Sequence, residues 1–328
     1  MLGAGRMGKR HAEIIALNNE AELVALIDCR LKEELEIEEY NVPFFSSLND
    51  FLQSGLECDV VNIATPNGLH AQQAITALNG FKHVVIEKPL ALKASDAAEV
   101  ITRSGEVRRQ VFPVMQNRYS PPSQWLKEIV RKGLLGKIYM VQLNCYWNRD
   151  HRYYTQNTWH GTKNMDGGTL FTQFSHFIDI LYWLFGDFEN IKSRITNVNH
   201  PNLKEFDDNG TVSFDFTRGG MGSIHFSTAV WDRNFESSLT IIAEKGTVKV
   251  AGQYMDKVAY CHIKDYQMPT LVKTNPANDY GSFRGSAANH QYVIANVIDV
   301  LKGRSAITTE PSEGMKVVEI IEKMYNNS

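Results

Sequence analysis

The chain has 328 residues, of which 43% are hydrophobic and 22% charged, and its formal net charge is −3 at pH 7. This length fits about two globular domains, and the small charge without a long Lys/Arg run argues against nucleic acid and membrane surfaces as partners. The sequence contains no signal peptide and no apolar run of about 18 residues, and its four scattered cysteines lack metal-ligand spacing, so we expect a cytoplasmic protein with reduced thiols and no bound metal.

Residues 1–120 alternate predicted strands with predicted helices. Continuous apolar runs, typical of strands buried on both faces, cover residues 23–27, 60–64, 84–86 and 111–114. Helical periodicity covers residues 8–17, 47–53, 70–78 and 95–104, the last of these opened by a serine cap. This alternation predicts a parallel sheet with right-handed crossovers. Because the chain begins Met1-Leu2-Gly3, either the natural sequence starts earlier or the central strand is stunted.

After Ser120 the pattern changes to an alternation of apolar and polar residues. A helix over residues 125–132 is followed by predicted strands over 139–147, 212–216, 224–226, 238–243 and 247–250, and then by helices over 288–301 and 312–325. Period-two alternation with turn signals predicts a mostly antiparallel, open sheet whose second face needs either solvent or a partner subunit. The predicted fold is therefore α/β, with a parallel-sheet domain over residues 1–120 and an α+β domain over 121–328.

The N-terminal glycines match the G-x-G-x-x-G pattern of dinucleotide-binding turns. Gly3 permits the tight turn, Gly5 lets the main chain approach a pyrophosphate, and Gly8 allows a helix to pack closely on a strand. Asp28 ends the next strand, where a carboxylate accepts hydrogen bonds from ribose hydroxyls and repels a 2′-phosphate. This favours NAD over NADP, although Arg30 leaves NADP open. The alternative is a glycine turn that binds no nucleotide.

A lysine stands at the end of a buried strand, where packing explains it poorly. Lys88 follows the apolar run 84–86, Pro89 directs the chain after it, and Glu87 is placed to hold its ammonium group or to touch a cofactor. Burial lowers the pKa of lysines in general, which suits them to proton transfer. Thr65-Pro66-Asn67 ends another strand at the edge of the sheet where ligands bind. The alternatives are a solvated lysine and a plain turn.

A second group of polar residues surrounds a histidine at the start of an apolar helix. Gly167-Gly168 permit close approach of the main chain, and Thr172 and His176, four residues apart, share a helix face. Asp179 lies three residues further on and is placed to orient the imidazole. A histidine in this position is more often a satisfied core residue, which is the alternative.

Upstream of this histidine lies a stretch rich in aromatic residues, arginine and asparagine. Arg149, Tyr153 and Trp159 offer the ring stacking and bidentate hydrogen bonds that suit sugars and phosphates. The alternative is a polar loop that caps the sheet. His151 and His160 lack the spacing of a metal site.

Taken in order, these motifs resemble the glucose–fructose oxidoreductase, inositol dehydrogenase and rhizopine catabolism (Gfo/Idh/MocA) oxidoreductases over essentially the whole chain. The residues that carry the resemblance are Gly3, Gly5, Gly8, Asp28, Thr65-Pro66-Asn67, Glu87-Lys88-Pro89, Asn117-Arg118-Tyr119-Ser120-Pro121, Gly167-Gly168, His176 and Asp179. The resemblance implies a Rossmann domain followed by an α/β domain whose open sheet forms a homodimer or homotetramer. It also implies NAD(P)-dependent hydride transfer at a carbon of a sugar, sugar acid, nucleotide sugar or cyclitol.

The resemblance and the spacing arguments together assign roles to individual residues. Lys88 and His176 are the predicted catalytic acid/base pair. The predicted cofactor contacts are Gly3, Gly5, Arg6, Met7, Gly8, Asp28, Arg30, Thr65, Pro66, Asn67, His70, Glu87, Lys88 and Asn117. The predicted substrate contacts are Lys88, Asn117, Arg149, Tyr153, Trp159, Thr172, Gln173 and His176.

Thr172 departs from the family pattern, because many members carry an aspartate four residues before the histidine, so Lys88 is expected to carry more of the proton transfer here. The branch acting on UDP-N-acetyl-2-amino-2-deoxyglucuronate has Asn-Gln at Thr172-Gln173 and an aromatic-Trp-x-Gly-Thr stretch similar to Trp159-His160-Gly161-Thr162. This chain is similar to that branch. Two other functions remain open on the same fold: a non-catalytic, cofactor-bound sugar sensor, and a glycosidase that uses tightly held NAD as a redox catalyst.

Overall fold

The computed structural model describes residues 1–155, 157–203, 206–281 and 283–328. The chain divides into two units, one of Met1–Met115 with His290–Val318 and the other of Gln116–Asn289 with Glu319–Ser328. The first division falls close to the predicted boundary at residue 120. The sequence-based division does not include the return of the C-terminal segment to the first unit.

The first unit is built on a parallel sheet. Its strands are β1 (Leu26–Ile27), β2 (Phe44–Phe45), β3 (Val60–Ile63), β4 (His83–Ile86) and β5 (Val111–Pro113), and all their pairings are parallel. Leu2 makes parallel bridges to both Ile27 and Ile63, so it takes the central position between β1 and β3. The central strand is therefore a single bridging residue, and the predicted parallel sheet is confirmed.

Five helices follow the strands of the first unit. They are α1 (Arg6–Ala16), α2 (Lys32–Leu35), α3 (Leu48–Gln53), α4 (His70–Asn79) and α5 (Ala94–Val107). The Ser47 side chain caps α3 by accepting a hydrogen bond from the Asp50 N–H. The predicted serine cap of α5 is wrong, because Lys93 occupies the N-cap without a side-chain hydrogen bond and Ser95 lies inside the first turn.

The second unit is built on a seven-stranded sheet with the order β12-β11-β10-β6-β9-β8-β7. Its strands are β6 (Ile138–Tyr146), β7 (Phe188–Thr196), β8 (Asn209–Phe216), β9 (Met221–Ser227), β10 (Glu236–Ala243), β11 (Gly246–Ala251) and β12 (Lys257–Ile263). Every pairing is antiparallel except that of β6 with β9, which confirms the mostly antiparallel prediction. A separate hairpin consists of β13 (Ala277–Asp279) and β14 (Arg284–Ala287).

One face of the large sheet is covered and the other is open. The helices of this unit are α6 (Pro121–Arg131), α7 (His151–Tyr154) and α8 (Ser175–Phe185). Phe177 of α8 packs edge-on against Trp147, which directly follows β6. On the opposite face Met140, Met221 and Ile242 stand side by side on three adjacent strands and are 42%, 52% and 43% exposed. The sheet therefore holds α8 firmly and leaves an apolar row uncovered in the monomer.

The last two helices are α9 (His290–Leu301) and α10 (Pro311–Asn326). α9 contacts α1 in the first unit, and Gly314 at the start of α10 lies so close to Pro113 that a Cβ there would be 3.1 Å from the proline ring. These contacts explain why His290–Val318 belongs to the first unit. Within the part of the chain that the structure describes, no helix is both long and apolar enough to cross a membrane.

Candidate active site

The glycine turn of the first unit has the geometry that the sequence predicts. Gly3 adopts a φ of +84°, and a Cβ on it would lie 2.7 Å from the carbonyl oxygen of Ala64. A Cβ on Gly8 would overlap the carbonyl oxygen of Gly3. Gly5 is the N-cap of α1, so the N–H groups of the first turn of this helix follow the turn directly. Larger residues at Gly3 and Gly8 are therefore excluded, and the turn fits a bound diphosphate.

Asp28 lies at the end of β1 beside this turn. Its Oδ2 accepts hydrogen bonds from the Ala4 N–H at 2.8 Å and from Arg30 Nη2 at 3.0 Å, and its Oδ1 accepts from Arg30 Nε at 3.1 Å. Burial alone would raise the pKa of Asp28, but the hydrogen bonds from Arg30 and Ala4 outweigh it and lower the pKa. A carboxylate is therefore held at the position that contacts ribose in dinucleotide-binding folds, with an arginine over it.

The side chain of Glu87 points into the first unit, where two histidines meet it. His11 Nε2 of α1 lies 2.9 Å and His290 Nε2 of α9 lies 3.4 Å from Glu87 Oε1, and all three side chains are buried. Burial alone would raise the pKa of Glu87, but its contacts with His11 and His290 hold the pKa well below the usual range. The Lys88 N–H donates to Glu87 Oε2 at 3.3 Å. The glutamate therefore anchors the main chain at the half-buried Lys88.

His11, Glu87 and His290 are also the group among the described residues whose ligand atoms, all within 4.8 Å of one another, could hold a metal ion. His11 and Glu87 are joined by a hydrogen bond, and His290 adds an ion-pair contact at 3.4 Å. We interpret the group as a structural contact between the carboxylate and the two histidines. The sequence spacing did not predict either histidine as a partner of Glu87, because each occupies the position of an ordinary core residue on an amphipathic helix.

The loop after β3 is tied to the loop after β4 by a third histidine. Thr65 donates its hydroxyl to Gln73 at 2.5 Å, Asn67 is buried, and Pro66 precedes a single 3₁₀ turn. The ring of His70, at the first position of α4, lies between the main-chain carbonyls of Thr65 and Pro89. Within the first unit the structure therefore brings together Thr65, His70 and the Glu87-Lys88-Pro89 segment, as the strand-end argument predicts.

In the second unit His176 is buried in the first turn of α8, directly after a π-helical turn over Leu170–Phe174. The side-chain amide nitrogen of Gln116 lies 3.1 Å from its Nε2, and because an amide nitrogen only donates, Nε2 is the acceptor in this contact. Asp179, expected to orient this imidazole, accepts two hydrogen bonds from the buried Arg118, at 2.6 and 2.8 Å. The sequence pattern gave no sign of this ion pair, because its partners lie 61 positions apart.

Three of the predicted substrate residues form one network. Arg149 Nε donates to Gln173 Oε1 at 2.8 Å, and Gln173 Nε2 donates to the Tyr153 hydroxyl at 2.8 Å. The Arg149 guanidinium is 1% exposed and lies against the rings of Trp147, Tyr153 and Phe283. Burial lowers its pKa to about 10. The arginine therefore remains charged at neutral pH and holds Gln173 and Tyr153 in fixed positions.

Two other predicted contacts have partners near this network. Trp159 is half-buried and packs edge-on against His160, whose ring stacks on Tyr153 at 4.0 Å. The side-chain Oδ1 of Asn117 accepts from the hydroxyl of Ser286 at 2.5 Å. Within the second unit these side chains are consequently buried or half-buried and fixed, as a binding site requires.

The carboxylate missing at Thr172 is supplied from a neighbouring position. The Thr172 hydroxyl forms a short hydrogen bond with the side chain of Asp166, and Asp166 Oδ2 accepts from the Gly161 N–H at 2.8 Å. Burial raises the pKa of Asp166 to about 7. Asp166 was not predicted as a site residue, although the paired glycines that follow it were. A buried carboxyl group with a raised pKa is therefore hydrogen-bonded directly to Thr172.

A second buried carboxyl group lies on the other side of the glycine pair. Asp207 Oδ1 accepts from the Tyr325 hydroxyl at 2.9 Å and from the Thr169 N–H at 3.2 Å, and burial raises its pKa to about 6. A Cβ on Gly168 would clash with the Tyr325 hydroxyl, and Gly168 has a φ of +123°. The close approach predicted at the glycine pair is therefore the contact between Gly168 and Tyr325 of α10.

The parallel sheet with its glycine turn and strand-end carboxylate places the first unit in the class of dinucleotide-binding domains. Two family models match the chain: an oxidoreductase family with an NAD-binding Rossmann fold over residues 1–114, and the GFO/IDH/MocA C-terminal domain over residues 123–249. This chain belongs to the Gfo/Idh/MocA family of NAD-binding oxidoreductases, as its motifs predict.

Solved structures agree with this assignment over the whole chain. The WlbA dehydrogenase of Bordetella pertussis, in complex with NADH and UDP-GlcNAcA, has 31% identity and a TM-score of 0.88, covering 99% of this chain and 94% of that one. The WlbA dehydrogenase of Chromobacterium violaceum, with the same two ligands, has 29% identity and a TM-score of 0.88, covering 99% and 92%.

Curated relatives match over shorter lengths. An uncharacterised oxidoreductase of Synechocystis sp. is 25% identical over 197 residues, which is 60% of this chain and only about half, 53%, of that protein. The 2,7-anhydro-N-acetylneuraminate hydratase of Escherichia coli K12 is 25% identical over 258 residues, covering 76% of this chain and 66% of that protein. The family thus includes members named for different reactions.

Proposed function

We propose that this chain is a cytoplasmic, NAD-dependent dehydrogenase that oxidises a hydroxyl-bearing carbon of a UDP-linked sugar acid. The observation that carries the proposal is the 31% identity, over 99% of the chain, to a dehydrogenase crystallised with NADH and UDP-GlcNAcA. The presence of Gln173 and of the Trp159-His160-Gly161-Thr162 stretch supports the same branch. Arg149 and Tyr153 form the fixed polar network that a charged sugar substrate would need.

The residues of the first unit fit a dinucleotide. The glycine turn has no room for a Cβ at Gly3 or Gly8. The start of α1 supplies N–H groups for phosphate, and Asp28 supplies an acceptor for the ribose hydroxyls. NAD bound there would accept a hydride from the substrate carbon. Thr65, Asn67 and Asn117 would orient the nicotinamide end, and Glu87 would hold the main chain at Lys88.

Two residues would handle the proton of the substrate hydroxyl. Lys88 Nζ would orient the hydroxyl and His176 Nε2 would take its proton, or the two would exchange these roles, which the proposal leaves to experiment. Gln116 would then compete with the substrate for His176 Nε2, because its amide lies 3.1 Å from that nitrogen.

The direct test is to mix the purified chain with NAD or NADP and a panel of sugars, cyclitols and UDP-sugars while following absorbance of the reduced nicotinamide. Reduction of NAD that requires a UDP-sugar acid is expected. Tight binding of UDP-sugars without turnover of any compound in the panel would instead favour a sensor.

A second candidate function is a glycosidase that uses tightly held NAD as a redox catalyst, with no net reduction of NAD. The relative named as a hydratase supports keeping it, because that protein is not named for a net oxidation. The same panel separates it from a dehydrogenase. Product formation by mass spectrometry with no accumulated NADH would favour the second function, whereas one NADH per product favours the first.

Asp28 should determine the preference for NAD. In Asp28→Ala the ribose hydroxyls lose a charged acceptor, so the Kd for NAD should rise about tenfold to a hundredfold and the preference for NAD over NADP should shrink. Arg30→Ala is the matched control: it releases Asp28 without removing it, so NAD should bind at least as well and NADP less well. Fluorescence titration measures all four constants. An unchanged preference in Asp28→Ala would contradict this role.

We also propose that the open face of the large sheet forms a homodimer or homotetramer. The exposed row of Met140, Met221 and Ile242 supports this, because an apolar row in the middle of a sheet face gains from burial. Met140→Asp should therefore give a smaller species than wild type in light scattering. Val198→Asp, at an exposed loop position of the same unit, serves as the control and should leave the mass unchanged.

A further inference from the structure

His70 is a buried histidine whose two ring nitrogens both face main-chain carbonyl groups. Nδ1 lies 2.7 Å from the oxygen of Pro89, and Nε2 lies 2.9 Å from the oxygen of Thr65. The side chain is 1% exposed. The ring therefore sits as a bridge between the loop after β3 and the loop after β4.

The two residues that His70 bridges, Thr65 and Pro89, adjoin segments of the proposed active site. Pro89 directly follows Lys88, and the residue before the lysine, Glu87, is anchored through His11 at 2.9 Å. The main chain at Lys88 is consequently held on both sides, by Glu87 before it and by the His70 contact after it. Thr65 begins the Thr65-Pro66-Asn67 segment proposed to face the nicotinamide.

The protonation chemistry of the ring determines which contact is a hydrogen bond. A carbonyl oxygen only accepts, and a neutral imidazole carries one N–H, so a neutral ring can donate to one of the two carbonyls. Burial lowers the pKa of His70; the two carbonyls and the charge of Glu87 act in the opposite direction, while Lys88 reinforces the lowering. The neutral ring is thus favoured, and the shorter contact assigns its proton to Nδ1, facing Pro89.

We propose that His70 is a positioning residue for Lys88: its Nδ1–H holds the carbonyl of Pro89 and so fixes the main chain from which the lysine acts. The proposal rests on the proposed function only in assigning the lysine a role in turnover. Because both ring nitrogens face main-chain carbonyls, the positioning role replaces the predicted contact of His70 with the cofactor, and the residue touches neither the substrate nor the reacting atoms.

Two amide substitutions separate the two contacts. In His70→Asn the amide nitrogen is attached at Cγ, as Nδ1 is, and can still donate to Pro89; in His70→Gln it lies one bond further out, as Nε2 does, and can donate only to Thr65. His70→Asn should keep kcat close to wild type. His70→Gln should lower kcat by about tenfold to a hundredfold, as expected of a displaced catalytic group, with little change in the KM for NAD. The exposed His262→Asn is the control and should change neither constant.

A second measurement does not depend on activity. The ionisation of the Lys88 ammonium can be followed by competitive acetylation across pH and peptide mass spectrometry. His70→Gln should shift the apparent pKa of Lys88 and His70→Asn should not. If the wild-type chain turns over no compound in the panel but this labelling pattern holds, the positioning role stands and the proposed reaction fails.

If either variant fails to fold, the protonation of His70 in the wild-type chain still tests the proposal. Nitrogen-15 NMR of labelled histidine should show that the proton is on Nδ1 of His70. An unprotonated Nδ1, or equal effects of the two amide substitutions on kcat and on the labelling of Lys88, would overturn the proposal.

Discussion

Replacing Lys88 by alanine should lower kcat by at least about a hundredfold and leave the affinity for NAD nearly unchanged. Acid/base groups contribute about 10²–10⁴-fold to rates of this kind. The affinity for NAD should persist because the glycine turn and Asp28 do not depend on the lysine side chain. The loss should appear in kcat and in kcat/KM alike, because the interaction is made with the reacting hydroxyl. Steady-state kinetics and NAD titration measure the two effects separately.

The neighbouring Lys82 supplies the control for this experiment. It stands just before β4, at the opposite end of the strand from Lys88, and Lys82→Ala should leave kcat unchanged. His176→Ala should resemble Lys88→Ala in kcat while also sparing NAD binding, since the histidine is not among the predicted cofactor contacts. Near-normal turnover in Lys88→Ala would rule out the proposed role of the lysine.

Replacing Asp166 by asparagine should remove much of the pH dependence of stability above pH 4. Burial raises the pKa of this carboxyl from 3.8 to about 7 in the folded chain. The stability that it contributes is therefore fully present below about pH 4 and is lost as the pH rises through about 7, a change of up to about 4 kcal/mol. Asp207, whose pKa is raised to about 6, adds a smaller change of the same sign.

The melting temperature measured between pH 5 and 8 tests this prediction. The wild-type value should fall as the pH rises, and the fall should be clearly smaller in Asp166→Asn. The groups that face Asp166 are Asp207, Tyr153, Tyr154 and Tyr325, and the three tyrosines stay neutral in this range because burial raises the pKa of each. The exposed Asp232→Asn is the control. Parallel curves for wild type and Asp166→Asn would refute the assignment.

Asp166 also alters the meaning of the departure at Thr172. The residue at the family's aspartate position is a threonine, yet its hydroxyl donates to a carboxyl group six residues earlier. The local chemistry is thus a hydroxyl backed by a carboxyl, in place of a carboxylate alone. A hydroxyl can pass a proton in either direction. Although the family's aspartate is absent at position 172, Asp166 therefore remains as a titratable group linked to Thr172.

Local patterns were sufficient for most of the architecture. Apolar runs of five and three residues predicted β3 and β4, and the period-two pattern predicted β6 and β10, because the side chains of a strand report directly which faces are buried. The strand β7 escaped prediction. Its residues after Phe188 are mostly polar and exposed, so the hydrogen bonds to β8, and not a hydrophobic face, define it.

The sequence by itself determined the family, the two kinds of sheet and the positions of the glycine turn, Asp28, Lys88 and His176, since each of these depends on residues close together in the chain. Only the tertiary structure decided which buried groups meet: His11 and His290 with Glu87, Arg118 with Asp179, and Asp166 with Thr172. The physical reason is that burial makes an unpaired polar group costly, so partners are chosen by proximity in space. Spacing along the chain carries no record of that choice.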